Sequence, residues 1–300
     1  MTLKSMFRGR LHEWLLRANR LYHRRLYTVE SNPDGIDIFD EDWDSLVLLD
    51  ACRYDALVDR DELPGNLESR VSKGSQTYEF LRANFTDRDL RDTVYVTATP
   101  QYYRFEDELN ATFHEVVNIW SDDSNVWHDG GRQVVRPETT TEHALQAAEQ
   151  YPNKRLLVHY IQPHTPFLDR PTEKLNTDRN TYRQFISGEL SVDASTLREA
   201  YRRNVDITLP HVTDLLEGLD GKTVVTADHG ELLGERLYPV PVSGWGHPHG
   251  TYVDELVRVP WLVHEQGERR DVTSGSSKSG DEEIKHDVVE QRLRSLGYTN

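Results

Sequence analysis

The sequence predicts an α/β fold with a mostly parallel central sheet sandwiched between helices, and three observations carry that prediction. Short runs of apolar and β-branched residues alternate with longer polar, helix-compatible stretches, as they do where crossover helices join parallel strands. The runs are almost continuously apolar, which suits strands covered on both faces. The chain's 300 residues are enough to bury one large core.

Taken in order, strands are expected at Ser45 to Leu49, Thr93 to Thr97, Leu156 to Ile161, Lys222 to Thr226 and Val259 to Val263. Helices are expected at Tyr78 to Asn84, Thr140 to Gln150, Leu197 to Leu216 and Ile284 to Leu296. These divide the chain into a basic amphipathic segment (1–35), a main domain (36–268), a Ser/Gly/charged stretch expected as a flexible linker (269–281), and a C-terminal helix packing on the domain (282–300).

The first segment differs from the rest. Lys4, Arg8, Arg10, Arg17, Arg20, Arg24 and Arg25 face only Glu13 before residue 28, while Leu11, Trp14, Leu15, Ala18, Leu21 and Tyr22 recur at helical spacing. Residues 1–27 therefore read as a helix that either packs back on the acidic body or contacts a protein partner or an anionic membrane. The turn signal Asn32-Pro33-Asp34-Gly35 closes the segment.

Fifty-one acidic residues against 35 basic ones leave a net charge of -16, which repels nucleic acid and favours cations. With Arg outnumbering Lys, such acidity also resembles the surfaces of proteins from a high-salt cytoplasm. Cys52 is the only cysteine, so an intrachain disulfide and a Cys-rich zinc site are excluded. No apolar run approaches the ~18 residues that cross a bilayer, and residues 1–27 lack the apolar core of a secretory signal. A cytoplasmic protein is expected, either free or peripheral at the inner membrane face.

In open α/β sheets ligands gather at the carboxyl ends of strands, so the polar residues that follow apolar runs deserve first inspection. The first run ends in Leu49-Asp50-Ala51-Cys52-Arg53-Tyr54-Asp55. The third gives His159-Tyr160-Ile161-Gln162-Pro163-His164-Thr165-Pro166, and the fourth Thr226-Ala227-Asp228-His229-Gly230-Glu231. A further imidazole pair follows in Gly246-His247-Pro248-His249-Gly250. Carboxylates and imidazoles converging from separate strands are what a divalent cation needs. Taken singly, Asp50 either caps a helix or binds metal, and His164 and His249 are either structural or catalytic.

The stretch Thr226-Ala227-Asp228-His229-Gly230-Glu231-Leu232-Leu233-Gly234-Glu235 resembles the metal-binding signature of the sulfatase-like branch of the alkaline phosphatase superfamily. Other pieces resemble it in the same order: Val47 to Asp50 with Arg53 and Asp55, His159 through Phe167, His249-Gly250-Thr251-Tyr252 leading to Arg258-Val259-Pro260, and the closing Arg292 to Tyr298. The resemblance spans about residues 45 to 298. It implies an alkaline-phosphatase-like fold, with residues 36–268 as the catalytic domain and one or two divalent metal ions (zinc, manganese, magnesium or calcium). Asp50, Asp228 and His229 would be ligands of one metal. His164 and His249 would contact the ester's oxyanion or a second metal. The formylglycine cysteine motif of typical sulfatases is missing, and Ala51 stands where a second acidic ligand is common.

Phosphatase and phosphotransferase members use an unmodified Thr or Ser after the first aspartate, and here Val71-Ser72-Lys73-Gly74-Ser75-Gln76-Thr77-Tyr78 feeds a helix. Thr77 is the expected nucleophile and a metal ligand, with Ser75 as the alternate; either residue would otherwise cap the helix. Arg53 either pairs with ester oxygens or forms an ion pair with Asp55. Glu231 is expected to orient His229. The resulting expectation is a metal-dependent hydrolase of phosphate or sulfate esters acting on an anionic substrate. The alternatives are a phosphotransferase modifying a surface glycan or lipid, and a non-catalytic anion- or glycan-binding member of the fold.

Overall fold

The structure is a computed structural model that describes residues 3–25, 28–58, 60, 63–129, 132–175, 180–278 and 284–298, with the backbone alone for 3–10. Its strands are β1 (Ser45–Leu49), β2 (Asn66–Val71), β3 (Asp89–Thr97), β4 (Thr112–Asn118), β5 (Val126–Asp129), β6 (Arg132–Val135), β7 (Arg155–Tyr160), β8 (Gly221–Thr226), β9 (Leu232–Arg236), β10 (Ser243–Gly246) and β11 (Arg258–Gln266). Its helices are α1 (Leu3–His23), α2 (Thr77–Phe85), α3 (Gln101–Leu109), α4 (Pro137–Gln150), α5 (Thr181–Ser187), α6 (Ala194–Gly218), α7 (Asp254–Val257) and α8 (His286–Ser295).

Seven strands form the central sheet in the order β2-β11-β8-β1-β7-β3-β4. β1 pairs in parallel with β7 and β8, and β3 in parallel with β7 and β4, whereas β11 runs antiparallel to both β8 and β2. Two further hairpins, β5-β6 and β9-β10, stand apart from this sheet. The alternation of strand side chains builds two cores. Val47, Leu49, Val158 and Val225 join one with α4 and α6 residues such as Ala144, Leu209 and Val212; Leu46, Leu48, Leu157 and Val224 join the other with Phe80, Phe85 and Tyr102 of α2 and α3. Truncating one of these fully buried leucines to alanine costs on the order of 2–5 kcal/mol, because the cavity is closed over by rigid neighbours.

The edges were the poorly legible part. β2 (NLESRV) alternates partly and fully exposed positions, and β4 carries His114, Glu115 and Asn118, so neither shows the continuous apolar run of an inner strand. The 269–278 stretch expected as a flexible linker lies against the body. Arg269 bonds Asp42 and Asp44, Thr273 N donates to Asn153 O (3.0 Å), Lys154 Nζ donates to Thr273 O (2.8 Å), and Lys278 N donates to His114 O (2.6 Å). The rest of that expected linker, 279–281, falls outside the described residues, as do 282 and 283 of the C-terminal segment. α8 docks through buried Val289, Leu293 and Arg292, whose guanidinium reaches Trp120 O and Asp123.

α1 packs back on the body, but not through its predicted apolar stripe. Its inward side is mixed: Leu16 packs on a small apolar cluster that includes Leu232 and Leu256, and Asn19 is fully buried, accepting from Val240 N (2.7 Å) and donating to Val240 O (3.0 Å). Leu11, Trp14, Leu21 and Tyr22 of the apolar stripe lie on the exposed side. Among the described residues, no helix is long and apolar enough to cross a membrane.

Candidate metal centre

β1 and β8 lie side by side and end at the same level, which brings Asp50 and Asp228 together. Ala51 follows Asp50 with φ +61°, a left-handed conformation uncommon for a residue with a Cβ. That turn aims the Ala51 N–H at Asp228 Oδ1 (3.1 Å), which also accepts from His229 N (2.8 Å). Asp50 Oδ2 accepts from the Tyr298 hydroxyl (2.8 Å). Each carboxylate thus has one oxygen held. The other oxygens, Asp50 Oδ1 and Asp228 Oδ2, are buried and have no hydrogen-bond partner, and the same is true of His159 Nε2.

His229 completes this group. Its Nδ1 donates to Gly230 O (2.7 Å), which fixes the tautomer and leaves the Nε2 lone pair facing Asp228 Oδ2 (3.4 Å) and Asp50 Oδ1 (3.6 Å). His159 reaches Asp228 Oδ2 from behind at 3.9 Å, with Tyr95 OH on its Nδ1 (2.8 Å). Donor atoms of Asp50, His159 and Asp228 all lie within 4.8 Å of one another. Thr77, the first residue of α2, places Oγ1 3.3 Å from His229 Nε2. Ser75 is directed elsewhere: its hydroxyl bonds Glu79 Oε2 (2.7 Å) and accepts from Thr251 N (3.3 Å).

A second group of donors, His164, Glu231 and His247, adjoins the first. The His164 and His229 rings lie 5.0 Å and 4.6 Å from that of His247. His164 donates Nδ1–H to Thr165 O (2.5 Å), and its loop is held by buried Asn204, which donates to Pro163 O, His164 O and Pro166 O. Tyr298 stacks on His164 with ring centroids 5.4 Å apart and planes 10° from parallel.

Two expected roles take another form in the structure, and for Arg53 the ion-pair alternative is the one present. Glu231 does not orient His229; its Oε1 pairs with His247 Nδ1 (3.0 Å), while Gly230 O holds His229. His249 does not join the donor cluster but faces Gln76 (3.1 Å), Glu79 (3.5 Å) and Arg24 (3.4 Å), and His247 two residues earlier stands in the cluster instead. Arg53 grips both oxygens of Asp55 (2.7 and 2.6 Å), Glu235 (2.6 Å) and Glu231 O (2.9 Å), so its fork is spent on the protein. His159 and Tyr298 also belong to the site, although neither is among the candidate residues the sequence singles out. His159 had a signal available, since it lies on the predicted strand five residues before His164.

Burial raises the Asp50 carboxyl well above the usual range, and the Asp228 charge adds to that; burial likewise raises Asp228. Burial lowers His229 and His164 strongly, reinforced by the neighbouring His247, and holds His159 at about 4. Burial opposes protonation of His247, but the Glu231 carboxylate outweighs it and raises the imidazole. The first group therefore combines neutral imidazoles with two mutually repelling carboxylates, and its unpartnered atoms point at one another. A divalent cation fits this donor set, because it would partner the orphaned oxygens and remove the repulsion.

No family model and no curated protein matches the chain. The chain is similar to the soluble domain of lipooligosaccharide phosphoethanolamine transferase A from Neisseria meningitidis, at 13% identity and a TM-score of 0.47, over 73% of this chain and 75% of that one. It is also similar to a protein in the alkaline phosphatase superfamily from Vibrio parahaemolyticus (12% identity, TM-score 0.46, 85% and 70% covered). A third is a lipoteichoic acid synthase from Listeria monocytogenes (15% identity, TM-score 0.46, 85% and 72% covered). Likenesses this distant leave every residue's role to the geometry of the site.

Proposed function

We propose that this chain is a metal-dependent hydrolase of phosphate or sulfate esters with Thr77 as its nucleophile. The observation that carries the proposal is the position of Thr77 Oγ1, 3.3 Å from the unprotonated His229 Nε2 and beside the unpartnered oxygens of Asp50 and Asp228. Asp50, Asp228 and His229 would hold the cation, with Thr77 at its edge. Zinc or manganese suits a mixed carboxylate and imidazole set best, and the His164, Glu231 and His247 group is the place for a second ion. When bound, the ion supplies charge that acidifies a hydroxyl and neutralises an ester's oxygens.

The chain's own residues do the rest. Ala51 N–H and Tyr298 OH fix which oxygen of each carboxylate faces inward. His229, locked by Gly230 O, turns its Nε2 lone pair to the side where the cation would sit, next to the Thr77 hydroxyl. Thr77 sits at the N-terminus of α2, where backbone N–H groups favour an anion. His247, with a side chain 14% exposed, is the most solvent-accessible of the clustered donors, so substrate approaches from its side. With no second ion bound, the imidazole there is raised toward protonation by Glu231 and is placed to meet an anionic ester or its leaving group.

The test is turnover of aryl phosphate, aryl phosphodiester and aryl sulfate by the metal-loaded protein, followed by mass spectrometry of the quenched enzyme. A phosphoryl or sulfuryl adduct on Thr77, lost in Thr77→Ala together with turnover, supports the proposal. Bound metal with no turnover of any ester would leave a non-catalytic binding protein. Added alcohols that capture the group in preference to water would make the enzyme a transferase.

A further inference from the structure

We propose that the outer face of α1 is a docking surface for an anionic membrane. The face is apolar where a solvated helix is polar. Trp14 is 69% exposed, Tyr22 53%, Leu11 52% and Leu21 37%, and Tyr238, 65% exposed, extends the patch by an edge-to-face contact with Tyr22 at 5.6 Å. From Leu11 to Tyr22 the stripe runs roughly 16 Å along one side of the helix. Leucine with tryptophan and tyrosine is the composition that settles at the headgroup boundary, where an amphipathic ring meets both hydrocarbon and water.

The orientation is held by specific bonds. Asn19 is fully buried and tied to both the N–H and the carbonyl of Val240; His23 Nε2 reaches Tyr238 O (2.9 Å), and Arg24 Nε donates to Val29 O (3.0 Å). Rotating the helix to bury its apolar stripe would strand Asn19. The exposed stripe is therefore a feature of the folded surface.

Charge selects the occupant. Residues 1–25 carry seven Lys and Arg against Glu13 alone, although the chain as a whole has a net charge of -16. Arg17 and Arg25 are exposed beside the stripe, long enough to keep their guanidinium groups at phosphate level while their stems lie on lipid. A second copy of the chain meeting through this face would bring two such basic helices together, which repulsion opposes. An anionic bilayer surface satisfies both the apolar stripe and the basic flank.

Flotation of the full chain with vesicles of phosphatidylcholine alone, or mixed with phosphatidylglycerol, tests this. The chain should float with the mixed vesicles and stay behind with the neutral ones. Trp14→Asp combined with Leu21→Asp should abolish flotation, and Arg17→Ala and Arg25→Ala should each weaken it about fivefold. All four positions are exposed, so circular dichroism and turnover of soluble aryl esters should match the unmodified protein. Absence of flotation with mixed vesicles, equal binding to neutral vesicles, or undiminished binding by the Trp14/Leu21 variant would overturn the proposal. So would self-association that these substitutions abolish, or a protein partner captured through this face without any vesicle binding. Vesicle binding is read without any ester, so a failure of the hydrolase proposal leaves it standing.

Discussion

The hydroxyl of Tyr298 donates to Asp50 Oδ2 at 2.8 Å, joining the far end of the described chain to the tip of β1, 248 residues away. Because that bond holds Oδ2, the oxygen turned toward His229 is Oδ1. Tyr298→Phe keeps the stacking on His164 and removes only the hydroxyl. It should weaken metal affinity about 10- to 100-fold, the usual cost of losing a group that orients a ligand, while stability changes by about 1 kcal/mol. Competitive chelator titration reads the affinity; an unchanged affinity would show that Asp50 is oriented without Tyr298.

Metal removal should be felt by the whole fold. Two buried carboxylates facing one another cost stability unless a cation lies between them, and an ion present at about a hundred times its dissociation constant contributes roughly 2.7 kcal/mol. Chelation should therefore lower the melting temperature of the wild type. Asp228→Asn keeps an oxygen for Ala51 N and His229 N but removes the repulsion. It should melt at or above the chelated wild type, with no further response to chelator. A wild type indifferent to chelator in scanning calorimetry would argue against a resident ion.

How much of this was legible in the sequence follows from which forces leave a local trace. β1, β7 and β8 were readable because strands covered on both faces must be apolar throughout, and Asp50, Asp228 and His229 because a charge directly after such a run marks a strand end. β2 and β4 left no such trace, since an edge strand tolerates Glu68 and Glu115. The periodicity of α1 revealed a stripe but not its direction, which Asn19 decides through a partner 221 residues away. His247 and His249 sit two apart in a Gly/Pro loop with no periodicity to separate them. Tyr298 is reached only by folding.

That ambiguity gives a direct comparison. His247 bonds Glu231 and lies 4.6 Å ring to ring from His229, while His249 is occupied by Gln76, Glu79 and Arg24. His247→Ala should reduce turnover by at least about 100-fold, the scale of one lost proton-transfer or charge-stabilising group. It should also remove any second ion counted by mass spectrometry of the native protein. His249→Ala should leave metal content unchanged. Equal losses in both variants would place His249 at the reacting centre after all.

Asn204 provides the most demanding stability test. It is fully buried on α6; its Nδ2 faces the carbonyls of Pro163, His164 and Pro166 at 3.1 to 3.3 Å, and its Oδ1 accepts from Leu168 N at 2.7 Å. One side chain thus satisfies four backbone groups of the His164 loop. Leucine is close in size but would bury those carbonyls and one N–H without partners, each costing about 1–3 kcal/mol less any relief from water. Asn204→Leu should lose roughly 3 kcal/mol or more in chemical denaturation, a scale reserved for broken buried networks. Asn204→Asp keeps the acceptor for Leu168 N but turns a charge on three carbonyls, so it should be at least as harmful. A loss below about 1 kcal/mol in both variants would mean that the loop is held by its own backbone, and that α6 does not position His164.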